Sequence, residues 1–376
     1  MPRRILYGVY HWGLGHATRS LVLLRALIAR GDQITILMQP GAGMQLLQSE
    51  LGDTVEYYPF RDTPAPFSRY PAVFYLRMSL SIPWVLAGYR REHRLTERLV
   101  KERQFDCVVS DSRIGVWSEA VPSYVIFHSI HQIIPGRIRW MEHLVEWGQR
   151  RLLRGYTKVL IPDAEAHGGL SGDLGHYPYF DWGAERLEYI GPLSDVSRPG
   201  TPQDLDYFFS VSGIEPQRSL FGHQVLAALP HLQGRIVVTL GDPTRKDEVR
   251  QIGAATVYGY LNRARQAETL NRAHVVITRS GYTTLMELAE LGKRALFVPT
   301  PGQSEQEYLA RFHHRLGHVY STTQKKLDIV RDLPRADAAQ GLPQAASRET
   351  VQRFLAILDS GSGGRIRGTL GTDAAP

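Results

Sequence analysis

Residues 273–317, AHVVITRSGYTTLMELAELGKRALFVPTPGQSEQEYLARFHHRLG, constrain the fold of this chain more than any other stretch. Residues 274–278 are a short apolar, β-branched run of strand character. Ser280 and Gly281 make a turn that opens a helix. Apolar residues at helical spacing carry it over 283–291, and Gly292 stops it. Residues 294–298 read as the next buried strand, closed by Pro299 and Pro301. A loop and a further helix follow.

The chemistry follows from that geometry. A Ser-Gly turn at a strand's carboxyl end aims the free amides of the next helix at one point. Those amides and the helix dipole suit a phosphate or diphosphate. Ser280, Gly281, Tyr282 and Thr283 form this corner. Glu287 lies further along the helix, about 10 Å from Ser280 at about 1.5 Å per residue. That is close to the reach from a diphosphate to the far edge of its ribose, where a carboxylate accepts hydrogen bonds from both hydroxyls. Gln306 and Glu307, on the loop after the next strand, are candidates for the hydroxyls of an attached sugar. Taken alone, the stretch equally fits an ordinary βαβ unit in which Ser280-Gly281 is only a helix start and Glu287 a solvated residue.

The start of the chain carries a second motif. Residues 5–10 read as a strand, Gly13-Leu14-Gly15-His16-Ala17-Thr18-Arg19 as a glycine loop leading into a helix over 17–30, and residues 33–38 as a second strand. This βαβ opening has its loop on the usual ligand side of a parallel sheet. Gly13 and Gly15 let backbone approach a substrate closely. His16 stands at the mouth of the helix, where a neutral imidazole can take a proton from an attacking hydroxyl. The plainer role is a helix cap. Arg19 can bind phosphate or pair with a carboxylate. Residues 105–110 form a strand that ends at Asp111, which is a second candidate base, an orienting partner of His16 or His128, or a cap for a helix over 114–120. Residues 124–127 deliver His128 and His131 to the same sheet edge. Without a third ligand nearby they make no convincing metal pair.

The run Thr278-Arg279-Ser280-Gly281…Glu287…Gly292…Pro299…Gln306 resembles the donor-binding region of GT-B glycosyltransferases, closest to the MurG type of N-acetylglucosaminyltransferase. The Gly-Leu-Gly-His loop is similar to the acceptor-side loop of MurG-like enzymes, and more so to the Gly-x-Gly-His-x-x-Arg form of nucleotide-sugar hydrolases of the same fold. It has fewer glycines than the peptidoglycan enzyme, and His11 and Trp12 are bulky where that family is small. That family's lipid-linked muramyl peptide acceptor is therefore not carried over.

The resemblance implies an α/β fold of GT-B type: two Rossmann-like domains facing across a cleft, with a C-terminal helix crossing back. The expected boundaries are an acceptor domain over 1–191, a linker over 192–204, a nucleotide-sugar domain over 205–345, the crossing helix over 346–359 and a disordered tail over 360–376. It also implies that Ser212, Gly213 and Arg218 face the donor phosphates, and that Tyr258, Gly259 and Tyr260 lie against the base. The implied reaction moves a hexose or N-acetylhexosamine from a nucleoside-diphosphate sugar, foremost a UDP-sugar, to a hydroxyl of a lipid or cell-envelope glycan. It proceeds with inversion, with His16 or Asp111 as base, and no metal or cofactor beyond the donor. Two alternatives stay open: a nucleotide-sugar hydrolase on the same fold, and a non-catalytic nucleotide-sugar-binding subunit.

The totals fit this reading. With 376 residues, 43% of them hydrophobic, the chain suits two α/β domains. A formal charge of +7 favours anionic small molecules, an anionic membrane or nucleic acid, but no nucleic-acid motif accompanies it. Cys107 is the only cysteine, so no internal disulfide forms and a reducing compartment is expected. The chain enters a strand too early for a signal peptide, and its most apolar window, 73–89, is broken by Arg77, Ser79, Ser81 and Pro83. Residues 61–70 read as an irregular loop. Residues 73–103 and 138–156 read as amphipathic helices rich in Arg and aromatics, either core with a solvated basic face or surfaces for anionic lipid. The expected location is cytoplasmic, peripheral on the inner face of the membrane.

Overall fold

The structure, a computed structural model, describes residues 2–11, 14–62, 71–134, 138–183, 185–196 and 201–361, and of residues 71–79 and 167 it describes the backbone alone. Gly13, Trp12, residues 63–70 and 197–200, and the tail beyond 361 lie outside the described residues.

The first lobe contains β1 (Arg4–Val9), α1 (Gly15–Ala29), β2 (Gln33–Met38), α2 (Ala42–Leu51), β3 (Glu56–Pro59), α3 (Pro71–Arg103), β4 (Cys107–Asp111), β5 (Ser123–Ile126), α4 (Arg139–Leu152), β6 (Lys158–Ile161) and β7 (Leu187–Tyr189). Its seven strands, in the order β3-β2-β1-β4-β5-β6-β7, are parallel throughout. Strands covered on both faces need continuous apolar runs, and Ile5, Leu6, Tyr7 and Val9 of β1 are fully buried.

The second lobe contains β8 (Leu205–Ser210), α5 (Gln217–Ala228), β9 (Ile236–Thr239), β10 (Val249–Ile252), β11 (Ala255–Tyr258), α6 (Arg263–Arg272), β12 (Ala273–Thr278), α7 (Tyr282–Leu291), β13 (Arg294–Phe297), α8 (Ser304–Arg315), β14 (Tyr320–Ser321) and α9 (Ile329–Asp337). The order is β10-β11-β9-β8-β12-β13-β14, with β10 alone antiparallel to its neighbour. α10 (Ser347–Ser360) closes the described chain and packs on α1 of the first lobe. Arg3 ties it there, donating to the Leu358 carbonyl (2.8 Å) and pairing with Asp359 (2.7 Å).

Strand order reverses between β1 and β4 in one lobe and between β8 and β12 in the other. Loops leaving such neighbours part in opposite directions and open a crevice at the strands' carboxyl ends. The lobes meet through α1 and α7, and one apolar core runs through both, including Leu21 and Leu24 from α1 with Leu285 and Met286 from α7.

One expected element is absent. Residues 114–120 form a turn, irregular chain and a bend, so Asp111 caps no helix. Tertiary contact decides this: a Cβ on Gly115 would lie 2.5 Å from the Tyr89 carbonyl of α3. Its neighbour Arg113 is buried against Glu92 and Asp62. Residues 71–103 form a single helix with Pro83 inside it.

Candidate active site

The first crevice holds a buried charged cluster. α1 places His16 and Arg19 one turn apart, so both point toward the end of β4. There Asp111 is fully buried. His16 Nδ1 lies 2.9 Å from Asp111 Oδ1, Arg19 Nε donates to Oδ2 (2.8 Å), Arg19 Nη2 donates to Oδ1, and the Ser20 hydroxyl donates to Oδ2 (2.9 Å). Gly15, just ahead of His16, is needed for packing: a Cβ there would meet the Thr283 hydroxyl of α7 at 2.8 Å.

Guanidinium donates only, so Asp111 accepts from Arg19. His16 Nδ1 lies 2.9 Å from Asp111 Oδ1, which accepts, and 3.1 Å from Arg19 Nη2, which donates. The shorter contact, to an ionised carboxylate, favours the tautomer with the proton on Nδ1 and the lone pair on Nε2. Burial is the largest influence on the His16 ring and lowers its pKa from the ordinary 6.5. The Arg19 charge adds to this, against the opposing pull of Asp111. Arg19 already neutralises Asp111, which leaves little negative charge to hold a proton on His16. Burial alone would raise the Asp111 carboxyl. The charges of Arg19 and His16, together with their hydrogen bonds, overcome it and hold that carboxyl well below 3.8. Neutral imidazole oriented by a buried carboxylate is the arrangement of a general base.

The cluster continues into the second lobe. Arg19 Nη1 donates to His128 Nδ1 (3.2 Å), which leaves His128 Nε2–H to donate to Glu305 of α8 (3.2 Å). His128 also stacks on Tyr282, with ring centroids 4.5 Å apart. The Tyr282 hydroxyl donates to the Pro162 carbonyl (2.9 Å), and the Thr283 hydroxyl to that of Gly15 (3.3 Å). These two side chains, read from sequence as donor contacts, hold the lobes together at the start of α7. Sequence reasoning missed Glu305. It chose the two following residues, yet Gln306 accepts from the Thr300 amide (2.9 Å) and Glu307 from the Gly302 amide (3.1 Å). The missed signal was position: Glu305 sits in the first turn of α8, beside the sheet edge.

In the second lobe, α7 starts at Gly281 without a side-chain cap, so its first amides stay free. The Ser280 hydroxyl donates instead to the Gln306 carbonyl (2.7 Å), clipping its turn to the first turn of α8. Gly292 ends α7 in the left-handed conformation, as expected. Glu287 is not solvated. It is 4 % exposed and pairs with Arg263 of α6 (2.7 Å), which also binds Asp195 of the linker. Burial raises the Glu287 carboxyl, against the pull of Arg263. Ser212 and Gly213 follow β8 at the second crevice. Arg218 is engaged, donating to Glu215 (2.9 Å) and to the Gly241 carbonyl (2.5 Å). Tyr258 and Tyr260 are half-buried about Gly259, where a Cβ would clash with the Arg245 carbonyl at 2.1 Å.

His131 turns away from His128 and is buried against Glu146 (3.1 Å). Among the described residues no group of His, Cys, Asp and Glu has the arrangement of a metal site.

Two facing Rossmann-like lobes with a crossing terminal helix define the GT-B fold. The family model for the glycosyltransferase family 28 C-terminal domain matches residues 219–345. The glycotransferase of kitacinnamycin is similar over 96% of both chains, with a TM-score of 0.63 at 16% identity. MurG of Acinetobacter baumannii is similar over 96% of this chain and 100% of its own, with a TM-score of 0.58 at 14% identity. Arabidopsis thaliana UGT89C1, solved with UDP-L-rhamnose, is similar over 96% of this chain and 94% of its own, with a TM-score of 0.58 at 13% identity. Comparison with curated proteins finds no match. The chain has the GT-B glycosyltransferase fold, and MurG is among the solved structures that share it.

Proposed function

We propose that this protein transfers a hexose or N-acetylhexosamine from a nucleoside-diphosphate sugar, foremost a UDP-sugar, to a hydroxyl acceptor with inversion. The observation that carries the reading is the His16–Asp111 pair standing beside the uncapped start of α7 across the lobe boundary. The acceptor oxygen attacks the anomeric carbon as its proton passes to His16 Nε2. The bond from that carbon to the diphosphate oxygen breaks, and the diphosphate leaves with the electron pair. The free amides of α7 meet its charge, so the reading gives no metal a part in the step. UDP-L-rhamnose in the Arabidopsis structure supports a nucleotide-sugar donor.

In this reading Glu287 receives the ribose hydroxyls while Arg263 holds its carboxylate in place. UDP-, GDP- and dTDP-sugars test this by thermal stabilisation. At least one should raise the melting temperature of the wild type, and Glu287→Ala should respond at least tenfold more weakly in ligand concentration. No response in the wild type, or an equal response in the variant, refutes the donor site.

The acceptor side is proposed to dock on anionic lipid. α4 is inverted: Glu142 and Glu146 are fully buried, whereas Trp140, Leu144 and Trp147 are 69%, 59% and 50% exposed. The buried pair has local partners. Glu146 accepts from the amides of Tyr179 (3.1 Å) and Phe180 (3.0 Å), and Glu142 from the Tyr179 hydroxyl (2.9 Å). Leu80, Ile82 and Trp84 of α3 are exposed too, and Arg139, Arg150 and Arg151 flank the α4 stripe. An apolar face ringed by Arg suits the headgroup region of an anionic bilayer. No described helix is long and apolar enough to cross a membrane. The protein should float with phosphatidylglycerol vesicles, and Trp140→Ser with Trp147→Ser should cut binding about tenfold or more, since each buried aromatic contributes roughly 1.5–3 kcal/mol. Equal flotation of both proteins would remove this face from the membrane role.

A further inference from the structure

The first crevice holds a second imidazole–carboxylate pair that the mechanism above does not use. His11 stands just past the end of β1, and its Nδ1 lies 2.5 Å from Asp62 Oδ2. Asp62 follows β3 and is also held by Arg113, which follows β4. Arg113 Nη2 donates to Asp62 Oδ1, and Nη1 to Oδ2 (3.3 Å). Arg113 is itself buried, donating through Nε to Glu92 of α3 (2.5 Å) and through Nη1 to the Val9 carbonyl (3.2 Å). Three strand ends and one helix therefore converge on the Asp62 carboxylate, at the ligand side of the sheet. Burial would raise that carboxyl. The hydrogen bond from His11 and the charge of Arg113 overcome it and hold the carboxyl below 3.8. An ionised carboxylate only accepts, so the Nδ1 that faces it carries a proton.

The pair sits beside the proposed base. The rings of His11 and His16 each meet the Tyr10 ring edge-on, with centroids 5.2 Å and 5.3 Å away. The Tyr10 amide donates to the Asp111 carbonyl (3.1 Å), so both imidazoles share one sheet edge. The His11 side chain is 17 % exposed, yet its Nδ1 is buried. The exposure falls on the rest of the side chain, whose other polar atom is Nε2. His11 is also one of the two bulky residues that set this loop apart from MurG-like loops.

We propose that His11, pinned by Asp62, is a second acceptor-binding residue, which hydrogen-bonds a hydroxyl of the acceptor other than the one that reacts at His16. The inference rests on the transferase reading and narrows its acceptor to a polyhydroxylated group, a sugar or cyclitol, rather than a lone alcohol. A hydroxyl both donates and accepts, so it meets Nε2 whether or not that nitrogen carries a proton. Asp62, Arg113 and Glu92 fix the ring before the acceptor arrives, which limits the freedom lost on binding. A site that hydrogen-bonds a substrate hydroxyl discriminates against an analogue that lacks it.

Hexyl β-glucoside and 1-hexanol carry the same tail and differ in their hydroxyls, so transfer rates from a stabilising nucleotide sugar compare the two acceptor classes. The wild type should favour hexyl glucoside about tenfold or more in kcat/KM. His11→Phe keeps an aromatic ring and removes both nitrogens. It should raise KM for hexyl glucoside about tenfold, as expected for one lost hydrogen bond, with the loss falling on KM more than on kcat. The preference over hexanol should shrink by the same factor, and stabilisation by the donor should persist. His11→Ala should show the same shift and decides the matter if the phenylalanine variant fails to fold. An unchanged KM in these variants overturns the inference. So does a wild type that uses the two acceptors equally, or uses neither while a nucleotide sugar still stabilises it, and in each of these cases the donor site survives. A wild type that no nucleotide sugar stabilises overturns the transferase reading and the inference together.

Discussion

A His16→Gln substitution should leave donor-induced thermal stabilisation intact while slowing turnover about 10²- to 10⁴-fold, the usual contribution of a positioned general base. Glutamine keeps a polar side chain beside Asp111 but has no basic nitrogen for the acceptor proton. The pH profile gives the same test without mutation. Activity requires neutral His16, whose pKa lies below 6.5, so the acid limb of kcat/KM should fall below that pH. Stability follows with a definite sign. The unfolded chain binds the His16 proton more readily than the folded one, so this contribution is lost as pH falls through 6.5 and levels off below the folded value. A variant that turns over at the wild-type rate, or an acid limb above 6.5, would remove His16 from the reaction. A protein that binds donor but never turns over, with any acceptor or with water, would be a binding subunit. Release of free sugar without an acceptor would mark a hydrolase.

Asp111→Asn should be the most destabilising of these changes. Asp111 is the only described carboxylate that pairs with the buried Arg19, and it also accepts hydrogen bonds from His16 and Ser20. Removing one partner of a buried pair leaves a desolvated charge and costs about 3–5 kcal/mol. The loss should show in the midpoint of urea unfolding. Its pH dependence has the opposite origin to that of His16: the depressed carboxyl contributes above 3.8 and loses that contribution as pH falls toward its folded value. Replacing Arg19 by Met together with Asp111 by Leu should restore much of the stability without restoring turnover, because the apolar pair needs no counter-charge but gives His16 nothing to orient it. An unfolding midpoint unchanged in Asp111→Asn would mean that Arg19 does not depend on this carboxylate.

Much of the second lobe was legible because its signals are local. The strand over 274–278, the turn at Ser280-Gly281 that opens the helix and the stop at Gly292 each follow from residues within a few positions of one another. The His16 loop was legible for the same reason. What pairs with what was not. Asp111 allowed three roles, and the structure keeps it with His16 and Arg19. Glu287 read as a solvated carboxylate or a ribose ligand, yet it is held by Arg263 and, through it, by the linker's Asp195. The absent helix over 114–120 shows the limit of local propensity, since contact with α3 overrides it.

α4 makes the same point from the other direction. Its spacing announces an amphipathic helix, but hydrophobic periodicity cannot say which face turns inward. Burying Glu142 and Glu146 is tolerable because His131 and donors from residues 134 and 179–182 come to meet them. The sequence alone determined the strand-turn-helix order around Ser280-Gly281, the stop at Gly292 and the glycine loop before His16, because these depend on neighbours along the chain. Only the tertiary structure decided that Arg19 is spent on Asp111, that Glu305 reaches His128, and that Glu287 is held by Arg263. Burial and pairing across distant segments set those outcomes, and no window of sequence contains both partners.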